Sequence, residues 1–190
     1  KNHSFKISKS HFDSEVRKIE IAENVTFVHR YHPMTPTFSM QLFAHGGLIE
    51  ETAKTNGLYN LIARTLTYNY DGIKYEDLTQ DLENKSASLS GIAGKNAYGI
   101  SLHGQTKDIT SLLEHFFQTW FAPSFTKKYF DLEKKLILRA LENKKRDPAK
   151  QVFQELNEII FNTHPYSLDV AGNEKSLKSL SVDLVKKTHL

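Results

Sequence analysis

The stretch Thr37-Phe38-Ser39-Met40-Gln41-Leu42-Phe43-Ala44-His45-Gly46-Gly47 is followed about ten residues later by Asn56-Gly57-Leu58-Tyr59-Asn60-Leu61-Ile62-Ala63-Arg64. In the first run Phe38, Met40, Leu42 and Ala44 alternate with Ser39, Gln41 and Phe43, the period of two expected of a strand with one buried face. The Gly-Gly pair ends that strand, and the second run predicts a helix over about 57–69. On this helix Asn60 and Arg64 stand about one turn apart, with Ala63 just before Arg64. Here the groups are an amide, a methyl and a guanidinium. The amide is a poor metal ligand, the methyl is none, and the guanidinium is charged at every accessible pH and repels a cation.

Outward from this unit, the first half of the chain predicts strands. Val16 to Ile21 and Val25 to Arg30 are short β-rich runs joined at Ala22-Glu23-Asn24, a hairpin turn. Pro33 and Pro36 bracket the loop before the strand at Thr37. A helix over about 75–84 precedes two strands within Ser86 to Gly104, turned at Gly94-Lys95-Asn96. The rest is helical: Thr106 is expected to cap a helix to about Phe121, and Thr126 begins a long helix to about Arg146. Asp147-Pro148 supplies a cap and a first-turn proline for another helix to about Asn162. Hairpin-paired strands with helices gathered later predict an α+β fold, a two-layer sandwich of a mainly antiparallel β-sheet with helices on one face.

Taken in order, several short strings resemble one family: the Gly46-Gly47 strand end, Asn56-Gly57-Leu58, Phe121-Ala122-Pro123-Ser124-Phe125, Arg146-Asp147-Pro148, His164-Pro165-Tyr166, Gly172-Asn173-Glu174 and the Ser181-Val182-Asp183-Leu184 helix start. The family is the insulinase, pitrilysin and mitochondrial processing peptidase group of inverted zinc metallopeptidases. The resemblance implies that Asn60-x-x-Ala63-Arg64 stands where catalytic members carry His-x-x-Glu-His. It also implies a third zinc ligand, a glutamate, on the later long helix. Counting forward from Arg64 by the family's spacing lands on Ala140. Glu142 is two positions away, roughly 200° around a helix at about 100° per residue. The degenerate positions are therefore Asn60, Ala63, Arg64 and Ala140, with no metal or other cofactor expected in this chain. Zinc is expected in the catalytic half of the parent protein.

The resemblance further implies that four such domains enclose a peptide-holding chamber. Ser88-Leu89-Ser90-Gly91 corresponds to the strand that pairs with a substrate backbone by β-addition. The expected partners are a catalytic peptidase half, in the same chain or a partner subunit, and a peptide. The leading functional reading is a non-catalytic domain that forms chamber wall and supports that half. The alternative is a scaffold subunit with no role in proteolysis.

Length and composition agree with a single soluble domain over 1–190 that is a fragment of a larger protein. The chain starts at Lys1 without a methionine, with 39% hydrophobic and 25% charged residues. No apolar run reaches the roughly 20 residues that span a bilayer, so no membrane partner is expected. With no cysteine, thiolate sites and disulfides are excluded, and the compartment is left open. A net charge of +3 is too weak to indicate nucleic acid. The lysines from Lys127 to Lys145 are expected to form the solvated face of an amphipathic helix.

The histidines are expected to be structural. Ser111-Leu112-Leu113-Glu114-His115 ends in Glu-His but has serine where a first ligand would stand. His29 and His32 are three apart, which on a strand places them on opposite faces. His45, at the strand end, is expected to be buried and hydrogen-bonded, with His103 and His164 in the same class.

Overall fold

The computed structural model describes residues 15–189, which gather into two compact units divided between Pro36 and Thr37. The first holds an antiparallel hairpin of β1 (Val16–Ala22) and β2 (Val25–Arg30). Its turn carries Asn24 at φ 60°, a left-handed conformation that asparagine tolerates better than most residues. Every residue of both strands is exposed.

The second unit is built on a three-stranded antiparallel sheet of order β3-β5-β4. It comprises β3 (Thr37–His45), β4 (Ser88–Ala93) and β5 (Ala97–Gln105). Pairing places Met40 opposite Leu102 and Leu42 opposite Ile100. As the sequence pattern requires, Phe38, Met40, Leu42 and Ala44 pack on the core, while Ser39, Gln41 and Phe43 lie exposed on the other face. Seven helices accompany the sheet among the described residues. They are α1 (Leu58–Leu66), α2 (Tyr75–Asn84), α3 (Ile109–Phe121), α4 (Lys127–Lys144), α5 (Pro148–Phe161), α6 (Glu174–Ser179) and α7 (Val182–His189). The fold is α+β, with the core formed where helices meet the apolar side of the sheet.

That core joins Leu61 and Ile62 of α1, Ile100 and Leu102 of β5, Phe116 of α3 and Val185 of α7, all fully buried. Each such side chain contributes about 1.5–3 kcal/mol from leaving water. The helix at Thr106 departs from expectation. Residues Thr106–Asp108 form a 3-10 turn, and the α-helix begins only at Ile109 with no side-chain cap. The cap at Asp147 forms as expected, its carboxylate accepting from the amides of Ala149 at 3.2 Å and Lys150 at 3.3 Å.

Candidate functional site

The site is organised around α1, whose N-terminus is held by a buried carboxylate. Glu51 is 3% exposed and accepts from the amides of Gly57 at 2.7 Å and Tyr59 at 2.9 Å, and from Asn56 Nδ2 at 3.0 Å. These are unpaired donors of a helix start, and the negative charge suits the positive end of the dipole. Burial nonetheless pushes the Glu51 carboxyl above the usual carboxylate range, against the pull of these hydrogen bonds.

Asn56 spans the junction between α1 and the later chain. Its Nδ2 also donates to the Asp169 carbonyl at 2.8 Å, its Oδ1 accepts from Asn173 Nδ2 at 3.1 Å, and its carbonyl accepts from Ser176 Oγ at 2.7 Å. Gly57 and Gly172, at φ 89° and 91°, pack backbone to backbone: a Cβ on either would lie 2.8 Å from the other's Cα. Two strings more than a hundred residues apart in the sequence thus form one contact, and only glycine fits both sides of it.

One turn along α1, the sequence-predicted positions separate in role. Asn60 lies within 3.5 Å of the Ala171 carbonyl. Ala63 is buried, and its carbonyl oxygen would be 1.8 Å from any Cβ on Gly91, so α1 lies directly on β4. Arg64 reaches α4, where its Nε donates to Glu133 Oε2 at 2.5 Å. Tyr68 OH donates to Glu133 Oε1 at 2.6 Å. Glu133 is nearly dry, with an 8% exposed side chain against 43% for Arg64. Burial, then the Glu133 hydrogen bond and charge, drive the Tyr68 phenol well above its usual range and keep it a donor. Tyr68 stacks on Tyr129 at 4.3 Å and meets Tyr75 at 4.9 Å.

Ala140 lies on α4, seven residues after Glu133. It is exposed, and Glu133, two turns earlier, meets Arg64. Glu133 is a buried carboxylate facing Arg64 that the sequence reading did not single out. The signal that could have found it is periodicity. Tyr129, Phe130, Glu133 and Ile137 form the buried stripe of α4, and a carboxylate on an apolar stripe needs a buried partner.

Ser88, Leu89, Ser90 and Gly91 form the outer strand β4, paired on one side with β5 from Ser88↔His103 to Ala93↔Tyr98. Among the described residues no strand pairs with its other side. Ser88 and Ser90 are exposed, and Leu89 packs toward the core.

The histidines take ordinary places, but His45, His103 and His164 are all exposed rather than buried. His45 is exposed at the end of β3 rather than buried, because it falls on the solvent side of the alternation. His103 is exposed with Nε2 3.0 Å from Ser101 Oγ, and His164 Nδ1 accepts from the Tyr166 amide at 3.2 Å. His115 is gripped between Tyr70 OH at 2.8 Å and Asp81 Oδ2 at 2.7 Å, a polar tie between α2 and α3. The basic face of α4 is largely committed within the molecule. Lys127 pairs with Asp131, Lys144 with Asp169 and Lys145 with Glu174, while Lys134 donates to the carbonyls of Lys178 and Leu180.

A zinc ion does not fit the residues present. Both oxygens of Glu133 are taken, by a guanidinium and a phenol, and the guanidinium's charge repels a cation. Among the described residues no group of three or more His, Cys, Asp or Glu side chains is placed to hold a metal. No described helix is long and apolar enough to cross a membrane.

The fold has close counterparts. An inactive peptidase M16 domain from Pseudomonas fluorescens superposes with a TM-score of 0.85 at 22% identity, covering 92% of this chain and 43% of that one. A protease from Helicobacter pylori gives 0.81 at 12% identity, covering 93% and 43%. The chain therefore spans less than half the length of either. No curated protein matches it significantly. Residues 26–174, most of the chain, match the insulinase peptidases, and the protein belongs to that family, peptidase family M16.

Proposed function

We propose that this chain is a non-catalytic domain of an insulinase-type peptidase, forming part of a peptide-enclosing chamber and supporting a zinc-bearing catalytic half. The observation that carries this reading is the Arg64–Glu133–Tyr68 cluster. Arg64, at a position where the resemblance places a zinc ligand of catalytic members, is instead a cation bound to the buried Glu133 carboxylate. A site wired in this way offers a metal no free ligand, yet it ties α1 and the residues after it to α4. The Pseudomonas fluorescens counterpart, described as an inactive domain, supports the same reading.

Within that role the outer edge of β4, from Ser88 to Gly91, offers main-chain donors and acceptors to an extended peptide. The catalytic half lies elsewhere in the same chain or in a partner subunit, and it holds the zinc. The test is to combine this chain with that half and measure both association and peptide hydrolysis. Association with a fall in KM for long peptides is the expected result. No association and an unchanged rate would leave only a shared fold, and would favour the scaffold reading.

A further inference from the structure

Helix α5 is amphipathic, but it is mounted with its apolar side outward. Lys150, Gln151, Gln154, Glu155 and Glu158 line a cleft of about 950 Å³ together with α4 and the segment before α6. On the opposite side Val152, Phe153, Leu156, Ile159 and Ile160 are 63, 67, 46, 79 and 61% exposed, and no residue of the helix is buried. At about 100° per residue the polar set centres near one side of the helix and the apolar set on the other, so the segregation is a property of the sequence. The orientation is fixed by the body of the domain. Gln154 Nε2 donates to the Ser167 carbonyl at 3.0 Å, Gln151 Nε2 donates to the Lys145 carbonyl, and Phe161 packs on Tyr166 at 5.5 Å. Lys95 Nζ covers both of those rings, at 5.2 and 4.9 Å.

We infer that the outward face of α5 is a permanent docking surface for an apolar face of the other half of the longer protein. This rests on the proposed function, which supplies such a half. Three observations select that occupant. The patch runs for roughly 12 Å at about 1.5 Å per residue, with spacings of three and four residues that suit a packed helix or sheet face. The polar side of α5 carries Glu155 and Glu158 against one lysine, Lys150, so an anionic membrane is disfavoured, since surface-binding helices are rich in cations on that side. The chain spans 43% of each solved counterpart, so those proteins have more than half their length available to cover such a face. A passing peptide would leave five large apolar side chains in water between visits, and a soluble protein rarely tolerates that.

Hydrogen exchange at residues 152–160 tests the assignment, comparing this chain alone with the same chain inside the longer protein. At least tenfold slower exchange inside the longer protein is expected. There the double substitution Phe153→Asp, Ile159→Asp should abolish the protection, while the isolated chain carrying it keeps its melting temperature, because both side chains are already exposed. Equal exchange in the two contexts overturns the assignment. Protection that appears in the isolated chain with rising concentration overturns it in favour of a second copy. Protection that appears only with added peptide overturns it in favour of a substrate site. A peptidase assay on the same longer protein separates the two readings: slow exchange without hydrolysis sinks the proposed function and leaves the docking face standing.

Discussion

Arg64 Nε lies 2.5 Å from Glu133 Oε2, across 69 residues of sequence, and the two side chains differ sharply in their access to water. The carboxylate is nearly dry, while the guanidinium is almost half exposed. The pair is therefore asymmetric. Glu133 depends on Arg64 for its charge compensation, whereas Arg64 can fall back on solvent.

Arg64→Ala should cost about 2 kcal/mol, because it leaves a buried carboxylate with one neutral donor. Glu133→Gln should cost about 1 kcal/mol, since the freed guanidinium is rehydrated. Reversible urea unfolding of the two variants measures the difference. A larger loss from Glu133→Gln would refute the asymmetry.

Exchanging the ligand set should reveal where the carboxylate partner sits. In Asn60→His, Arg64→His the two imidazoles stand one turn apart on α1, and Glu133 loses its internal cation. This variant should bind zinc at about 1 μM or tighter, roughly −8 kcal/mol. Glu133→Gln added to it should weaken binding at least tenfold, while Ala140→Glu should leave it unchanged. Titration calorimetry reads all three, and a gain from Ala140→Glu would restore the position that sequence spacing indicates.

Gly91→Ala should destabilise the domain by about 3 kcal/mol, at the upper end of overpacking costs. The added methyl would enter the Ala63 carbonyl oxygen at 1.8 Å, and neither a strand nor a helix backbone gives way cheaply. The same substitution at Gly72, where a Cβ meets nothing within 4 Å, carries only the cost of its positive φ. Chemical denaturation of the pair isolates the close approach, and equal losses would show that α1 does not rest on β4.

A half-buried histidine and a buried glutamate should tilt stability with pH in opposite directions. His189 donates from Nε2 to the Trp120 carbonyl at 2.8 Å, and burial holds its pKa below the ordinary 6.5. The unfolded chain takes up that proton first, so the contribution is complete above about pH 6.5 and is lost as pH falls through the lowered folded value. Glu51 is raised above 4.5, so its contribution is complete below that value and is lost as pH rises through the folded pKa. Melting temperature against pH should show a fall below about pH 6.5 that His189→Gln flattens. Glu51→Gln should flatten the decline on the alkaline side of about pH 4.5, at a lower overall stability because one oxygen acceptor is lost.

The α+β class, the hairpin at Asn24, the alternation of β3 and the Asp147-Pro148 helix start were all legible in the sequence. Each follows from local periodicity or capping chemistry that a dozen residues contain. The amide, methyl and guanidinium at Asn60, Ala63 and Arg64 are likewise read from the sequence, because side-chain chemistry is fixed whatever surrounds it. The tertiary structure alone decided that Glu133, among the residues of α4, meets Arg64. Residues seven apart on a helix share a face, and only the axial placement of α4 against α1 chooses among them. It also decided that His45 is exposed, that Gly57 meets Gly172, and that α5 turns its apolar side outward. Amphipathicity marks the two faces of a helix, but which one meets the body depends on contacts made by residues far away in the chain.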